Sequence, residues 1–240
     1  MRVFRKEFVH DYLSYSFGYT EYGELESSTP PHTAYEHGFL PESKDPDQHN
    51  RFYMARSVRV SLGDFSLTSE NRRITKKFDG VFARDILTRE ELQSDSDFRT
   101  CFLTYFAKRH GNGVMSEDRL EGILQSALPI RGVRYSQNKV PVGYIIEVYS
   151  KTFIHYWYSC YDLKHVNTSL GMWLMINSIQ HAKQDGCTHA YLGTAYGNKG
   201  RYKMNFPALE FWNGNVWVND TRALKELLEK DAHREISLLT

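Results

Sequence analysis

Cysteine is scarce in these 240 residues, with three in all. Cys101, Cys160 and Cys187 are an odd number at wide spacing, which argues against a disulfide framework and against a four-cysteine metal site. A reducing cytoplasm suits such usage. No run approaches the roughly 20 apolar residues of a membrane-crossing helix, and the opening MRVFRKEFVHDY has no apolar stretch of an export signal. The expectation is a protein that is neither exported nor embedded in a membrane. An excess of charge of one sign is lacking too: 30 Lys and Arg against 29 Asp and Glu leave a net charge of +1. Any hold on nucleic acid must therefore come from local basic patches. Histidines are present, but His10, His32, His37 and His49 show no paired spacing such as His-x3-His, so no metal site is expected and no cofactor is called for.

What is there reads as an ordinary globular chain, 41% hydrophobic and 25% charged, long enough for one large domain or two small ones. The first fifty residues, rich in Tyr, Gly, Ser, Glu and Pro, suit strands or ordered loops packed through aromatics. From Arg51 to Ser66 apolar and polar residues alternate, as in one half-buried strand. Thr68 or Ser69 then precedes a basic helical turn, and Thr88–His110 and Ser116–Leu128 carry helical spacing, with Thr88 or Ser94 as caps. Three runs, 132–136, 140–149 and 152–161, are separated by short polar turns and read as an antiparallel meander. Leu170, Trp173, Leu174, Ile176, Ile179 and Ala182 form a largely apolar helix closing at Asp185-Gly186. His189–Gly193 is a short buried strand, followed by the glycine-punctuated loop Gly197–Gly200, and Arg222–Glu229 makes a last short helix. The fold class is α+β: a mixed, largely antiparallel sheet flanked by helices, with the meander and the strand at Ala190–Gly193 in one sheet. An aromatic-rich region, 1–80, is expected to pack on a core domain, 81–240. Helices, meander, helix and strand in this order match the GNAT-like acyltransferase fold that carries acetyl-coenzyme A in many enzymes.

Candidate site residues gather in the stretch Tyr161–Trp217. A strand end, a helix start and a basic-aromatic loop together can hold an anion. Ser169-Leu170-Gly171 opens the helix, where free N–H groups suit a phosphate or an oxyanion; an ordinary N-cap is the plainer reading. Lys203 beside Tyr202 can neutralise phosphate or polarise a carbonyl, or be a surface lysine. Asp162 can fix or deprotonate an amine, or be a turn carboxylate. Tyr191, Tyr196 and Trp212 offer stacking surfaces or fill the core. Arg72, Arg73, Lys76, Lys77, Lys199 and Arg201 supply local basic surface, or a solvated helix face in the case of 72–77.

The same stretch resembles the arginyl-tRNA protein transferases and the bacterial leucyltransferases that act on N-terminal Asp or Glu. The motifs that carry the resemblance are Tyr161-Asp162 leading into Ser169-Leu170-Gly171, the strand end Tyr191-Leu192-Gly193, and Tyr202-Lys203-Met204-Asn205-Phe206 with Pro207 and Glu210 close behind. Upstream, Arg56-Ser57-Val58-Arg59-Val60 and Ser69-Glu70-Asn71-Arg72-Arg73 fit as well. They run in order over roughly residues 50 to 218. The resemblance implies an aminoacyltransferase in the cytoplasm that moves an amino acid from charged tRNA to an amine, at a protein or peptide N-terminus. It implies catalytic roles for Asp162, Tyr202 and Lys203. Ser169, Leu170, Gly171, Tyr191, Gly193, Arg201, Phe206 and Glu210 would bind substrate; Arg72, Arg73, Lys76, Lys77 and Lys199 would bind tRNA. The family's N-terminal cysteine cluster has no counterpart, since no cysteine precedes Cys101. Two alternatives stand beside this reading: an acyl-coenzyme A-dependent N-acyltransferase of the same fold, whose Arg/Gln-x-x-Gly-x-Gly/Ala loop is missing here, and a tRNA- or degron-binding module without catalysis.

Overall fold

The aromatic, glycine-bearing start of the chain forms strands. In the computed structural model, which describes residues 1–12, 15–45 and 50–237 and so leaves His49 outside the described residues, β1 (Arg2–Asp11) and β2 (Ser16–Glu24) make an antiparallel hairpin. Helix α1 (His32–Glu36), β3 (Phe39–Pro41) and β4 (Arg51–Met54) follow, and the four strands form one sheet in the order β1-β2-β4-β3. The alternating run from Arg51, expected as a single strand, is two. The chain breaks after Met54 and resumes as β5 (Ser57–Ser61) in a second sheet. Phe52, Val58, Val60 and Leu62 are buried as the alternation implies, whereas at the break Met54 is half-buried and Ala55 and Ser57 are buried instead. Alternation carries no information on which neighbour a strand pairs with.

Helix α2 (Ser69–Phe78) begins at Thr68, which forms a reciprocal capping box with Asn71. After β6 (Ala83–Leu87), the helix expected over 88–110 is divided into α3 (Arg89–Ser94) and α4 (Ser96–Arg109). Thr88 caps the first. Asp95, rather than Ser94, caps the second by accepting from Phe98 N–H at 3.0 Å. Helix α5 (Glu117–Leu124) leads into the expected meander of β7 (Ile130–Gln137), β8 (Val140–Tyr149) and β9 (Phe153–Tyr161). Then come α6 (Leu170–Gln184), β10 (His189–Thr194), the short α7 (Gly197–Gly200), β11 (Leu209–Trp212), β12 (Trp217–Val218) and α8 (Thr221–Ser237). The basic-aromatic loop after β10 is helical, since a 3-10 turn over Arg201–Asn205 continues α7. The final helix runs well past the expected Glu229.

The second sheet has the order β12-β11-β5-β10-β9-β8-β7-β6, and the meander and the strand at Ala190–Gly193 share it as expected. β9 and β10 run parallel, and every other neighbouring pair of described strands is antiparallel. β5, from the stretch assigned to the N-terminal region, pairs with both β10 and β11. Leu174, Ile176 and Ile179 of α6 are fully buried at 0% exposure, each contributing roughly 1.5 to 3 kcal/mol by leaving water. Helix α4 lies on β9, where Cys101 and Cys160, 59 residues apart in sequence and 6.1 Å between Cα atoms, are joined as a disulfide. This pair corrects the expectation drawn from wide spacing, because only the packing of α4 on β9 brings the two sulfurs together. Cys187 is a buried free thiol.

Candidate active site

The site begins where two strands part. β9 and β10 pair side by side at Phe153 with His189, Ile154 with Ala190 and His155 with Tyr191. Beyond that last pair β10 turns away: Gly193 has a left-handed backbone with φ +80°, and the register against β5 shifts between Tyr191 and Thr194. Glycine suits such a residue because it has no Cβ to clash. The wedge left between the strands opens into a cavity of about 680 Å³. Its walls are His155–Ser159 and Tyr161 of β9, Leu192–Thr194 of β10, the start of α6, and the end of α4 at Arg109 and His110. Leu40, Pro41 and Tyr53 of the first sheet close another side.

Helix α6 brings its N-terminus to this wedge by close packing. Ser169, the residue before the helix, has φ 68° and no side-chain capping bond, so the first N–H groups of the helix are left for a ligand. At Gly171 a Cβ would stand 3.0 Å from the Tyr161 ring, so the glycine lets the helix start settle on the floor of the cavity. Lys77 of α2 donates to the carbonyl of Thr168 at 2.8 Å, placing a cation beside the same helix start.

Lys203 is the most unusual group in the wall. It is 8% exposed, and its Nζ donates to the carbonyl of Thr194 at 2.6 Å. No carboxylate pairs with it among the described residues, and burial lowers its pKa from 10.5 to about 7. Near neutrality the amine is therefore divided between charged and neutral forms. Its neighbour Tyr202, 42% exposed overall, is a neutral phenol, its pKa raised by desolvation first and then by the Tyr161 hydroxyl. His155 is also buried and kept uncharged, its pKa lowered to about 3 by burial first and then by Lys203. His110 is shifted down by burial and by Arg109 and Lys199. Among the described residues, none that line the cavity is Asp or Glu, so the wall presents cations, hydroxyls and aromatic rings.

Of the residues expected from sequence, Ser169, Gly171, Gly193, Tyr202 and Lys203 meet at this cavity. Others are placed elsewhere. Leu170 and Phe206 are core side chains, 1% and 2% exposed. Tyr191 does not line this cavity: it is 2% exposed, its hydroxyl accepts from Arg59 at 3.3 Å, and Glu210 pairs with the same Arg59 at 2.6 Å. Arg201 is exposed, 3.9 Å from Glu229. Asp162 sits at the turn after β9, outside this cavity, where it accepts from Lys164 N–H at 3.0 Å and pairs with the Lys164 ammonium at 2.8 Å. Those contacts, led by the Lys164 hydrogen bond, hold its pKa below the usual carboxylate range. This is the turn-carboxylate geometry. Trp212 is buried and so not free to stack on a base, whereas Tyr196 is 43% exposed and has the Arg56 guanidinium over its ring at 4.7 Å. Among the basic residues, Lys77 and Lys199 reach the cavity's surroundings, whereas Arg72 donates to the Leu67 carbonyl at 2.6 Å, Arg73 pairs with Glu70 at 2.7 Å and Lys76 is simply exposed. Sequence reasoning missed His155, Arg109 and His110. A histidine inside an otherwise apolar and aromatic strand was the available signal for the first; nothing local marked the others.

A parallel strand pair that parts over a helix N-terminus defines an acyltransferase of the GNAT class. Residues 69–204 match the family model described as "Acetyltransferase (GNAT) domain", more than half of the chain, and the protein belongs to that family. Within it, the chain is similar to the aspartate/glutamate leucyltransferase of Hyphomonas neptunium, 25% identical over 177 residues that cover 68% of this chain and 67% of that protein. It is likewise similar to the aspartate/glutamate leucyltransferase of Methylorubrum populi, 28% identical over 167 residues, 63% of this chain and 65% of that one. The matched region thus spans about two thirds of these relatives. Among solved structures, L-PGS from Bacillus licheniformis superposes with a TM-score of 0.48 at 16% identity, over 74% of this chain and 64% of that chain.

Proposed function

We propose that the protein is an aminoacyl-tRNA protein transferase, which takes an amino acid from the 3′ end of charged tRNA and joins it to the free amine of a protein or peptide N-terminus. The observation that carries this reading is the wedge cavity, with the α6 N-terminus at one side and the buried, unpaired Lys203 at the other. An aminoacyl ester is already activated, so the protein must align it with the amine, manage one proton and stabilise the tetrahedral oxyanion. Neutral Lys203 takes the proton that the attacking nitrogen loses and delivers it to the departing ribose oxygen. Ser169, Gly171 and Gly193 bring backbone close to the donor, and Tyr202 bounds the site. Lys77 and Lys199 meet tRNA phosphate near the mouth. Arg72, Arg73 and Lys76 add a weaker, more distant field.

The lining also bears on specificity. A wall of aromatics and cations without a carboxylate disfavours an arginyl donor, whose guanidinium would be buried unpaired, and favours an apolar aminoacyl group. Arg109 and His110 suit an acidic acceptor end. The names of the similar leucyltransferases support the same assignment.

The test is incubation of the full chain with a pool of charged tRNAs and peptides bearing acidic N-termini, followed by mass spectrometry. A mass increase of one amino acid residue is expected. Acylation from acyl-coenzyme A but not from charged tRNA would make the protein an N-acyltransferase instead, and tRNA binding without transfer would make it a binding module.

A further inference from the structure

The cavity wall contains a buried imidazole. His155 is 2% exposed and stands on β9 opposite Tyr191, at the last pair before the strands part. Its Nδ1 lies 3.0 Å from the hydroxyl of Tyr35. Tyr35 is fully buried at 0% exposure, and its ring is wedged against Phe153 at 4.7 Å, Tyr191 at 4.9 Å and Phe52 at 6.0 Å. The hydroxyl is thereby fixed in place. Burial raises its pKa well above the ordinary value, so it always carries a proton, and His155 Nδ1 is its one hydrogen-bond partner among the described residues. A buried hydroxyl left without an acceptor is costly. Tyr35 O–H therefore donates to Nδ1, which puts the imidazole hydrogen on Nε2. No described protein group engages Nε2, and His155 lines the wedge. His155 thus keeps a ring N–H without a described protein partner, in the wall of the cavity.

Resting on the transferase reading above, we propose that His155 Nε2–H is the hydrogen-bond donor that stabilises the oxyanion of the acyl transfer, and that Tyr35 is the positioning residue that sets its tautomer. In the reaction the amine lone pair forms the new C–N bond at the ester carbonyl carbon, and the C=O π pair moves onto oxygen, where Nε2–H meets it. When that pair returns, the bond from carbon to the ribose oxygen breaks. The ribose oxygen leaves with the proton the nitrogen has lost, relayed through Lys203, so amide and free ribose hydroxyl are the products. A neutral donor suits this position, because a charged imidazolium would stand close to the Lys203 ammonium. Tyr35 belongs to α1, outside residues 69–204 that match the family model. The segment before the family domain thus completes the catalytic centre.

The experiment uses the full chain and the variants H155A, H155Q and Y35F, with single-turnover transfer, donor affinity, thermal melting and nitrogen-15 NMR of the His155 ring on the same preparations. The parent ring is expected as the Nε2–H tautomer, with Y35F losing that preference. H155A is expected to slow transfer on the order of 10²- to 10³-fold at unchanged donor affinity. H155Q, whose amide can donate from nearly the same point, recovers at least tenfold. A parent ring in the Nδ1–H tautomer overturns the proposal, as does an H155A protein that melts and transfers like the parent, or an H155Q protein that melts like the parent yet transfers more than about 10²-fold slower. Should H155A fail to fold, H155Q and the parent tautomer decide. Both candidate donors react through a tetrahedral oxyanion, so a parent that uses acyl-coenzyme A and not charged tRNA overturns the donor assignment while the His155 rates are read on acyl-coenzyme A.

Discussion

Replacing Lys203 by methionine removes a buried charge while keeping the length of the side chain. A pKa of about 7 in place of 10.5, at about 1.4 kcal/mol for each unit, means that burying the ammonium costs the folded protein on the order of 5 kcal/mol wherever the group is charged in both states. The sign follows from linkage: the folded protein binds fewer protons than the unfolded chain between pH 7 and 10.5, so the parent gains stability as pH rises through that window. Below about pH 7 the full cost is present; at pH 9 roughly 2 kcal/mol of it remains. The variant also loses the hydrogen bond from Nζ to the Thr194 carbonyl at 2.6 Å, worth roughly 1 kcal/mol. Lys203→Met is therefore expected to be more stable than the parent by about 4 kcal/mol at pH 6 and by about 1 kcal/mol at pH 9, while transfer is lost. Urea unfolding of both proteins at the two pH values, with matched slopes, measures this. A variant less stable than the parent at pH 6, or an advantage that does not shrink toward pH 9, would refute the argument that Lys203 is a buried, uncompensated amine. In the parent, the single-turnover rate should rise with pH around 7 as the neutral base forms.

Three further outcomes follow from the placement of the other residues. The double variant Lys77→Ala, Lys199→Ala is expected to weaken tRNA binding and reduce the magnitude of the log–log salt slope by about 1 to 2; filter binding across salt concentrations checks this, and Arg73→Ala, already paired with Glu70, should change little. Asp162→Asn should leave single-turnover transfer within about twofold and cost less than about 1 kcal/mol in a thermal melt, because it gives up a half-exposed pair with Lys164; a large loss of rate with an unchanged melt would return Asp162 to the active site. Gly193→Ala is expected to cost roughly 1 to 2 kcal/mol for a side chain at φ +80°, since its Cβ would meet Lys203 Nζ only at an ordinary 3.6 Å, and equilibrium unfolding that shows no cost would speak against the bulge.

Local pattern was enough for much of the scaffold. The meander, α6 and β10 were legible because periodicity reports which face of an element is buried, and that information sits within a dozen residues. Five candidate site residues, Ser169, Gly171, Gly193, Tyr202 and Lys203, were legible for a related reason: a helix start, a strand end and a basic-aromatic turn carry chemistry in the residue types themselves. What the tertiary structure alone decided is where side chains point and what they lose in reaching there. Asp162 and Lys203 read alike as charged residues beside the site, yet one is solvated and paired at a turn and the other is buried against the Thr194 carbonyl. The run from Phe52 to Leu62 crosses between sheets without a sign in its sequence alternation, because side-chain alternation is blind to strand partners. His155 acquires its partner from Tyr35, 120 residues earlier, and Arg109 reaches the wedge only because α4 lies across β9. Such contacts depend on the register and divergence of β9 and β10 and on the desolvation that follows, and desolvation is a property of the packed whole rather than of any segment.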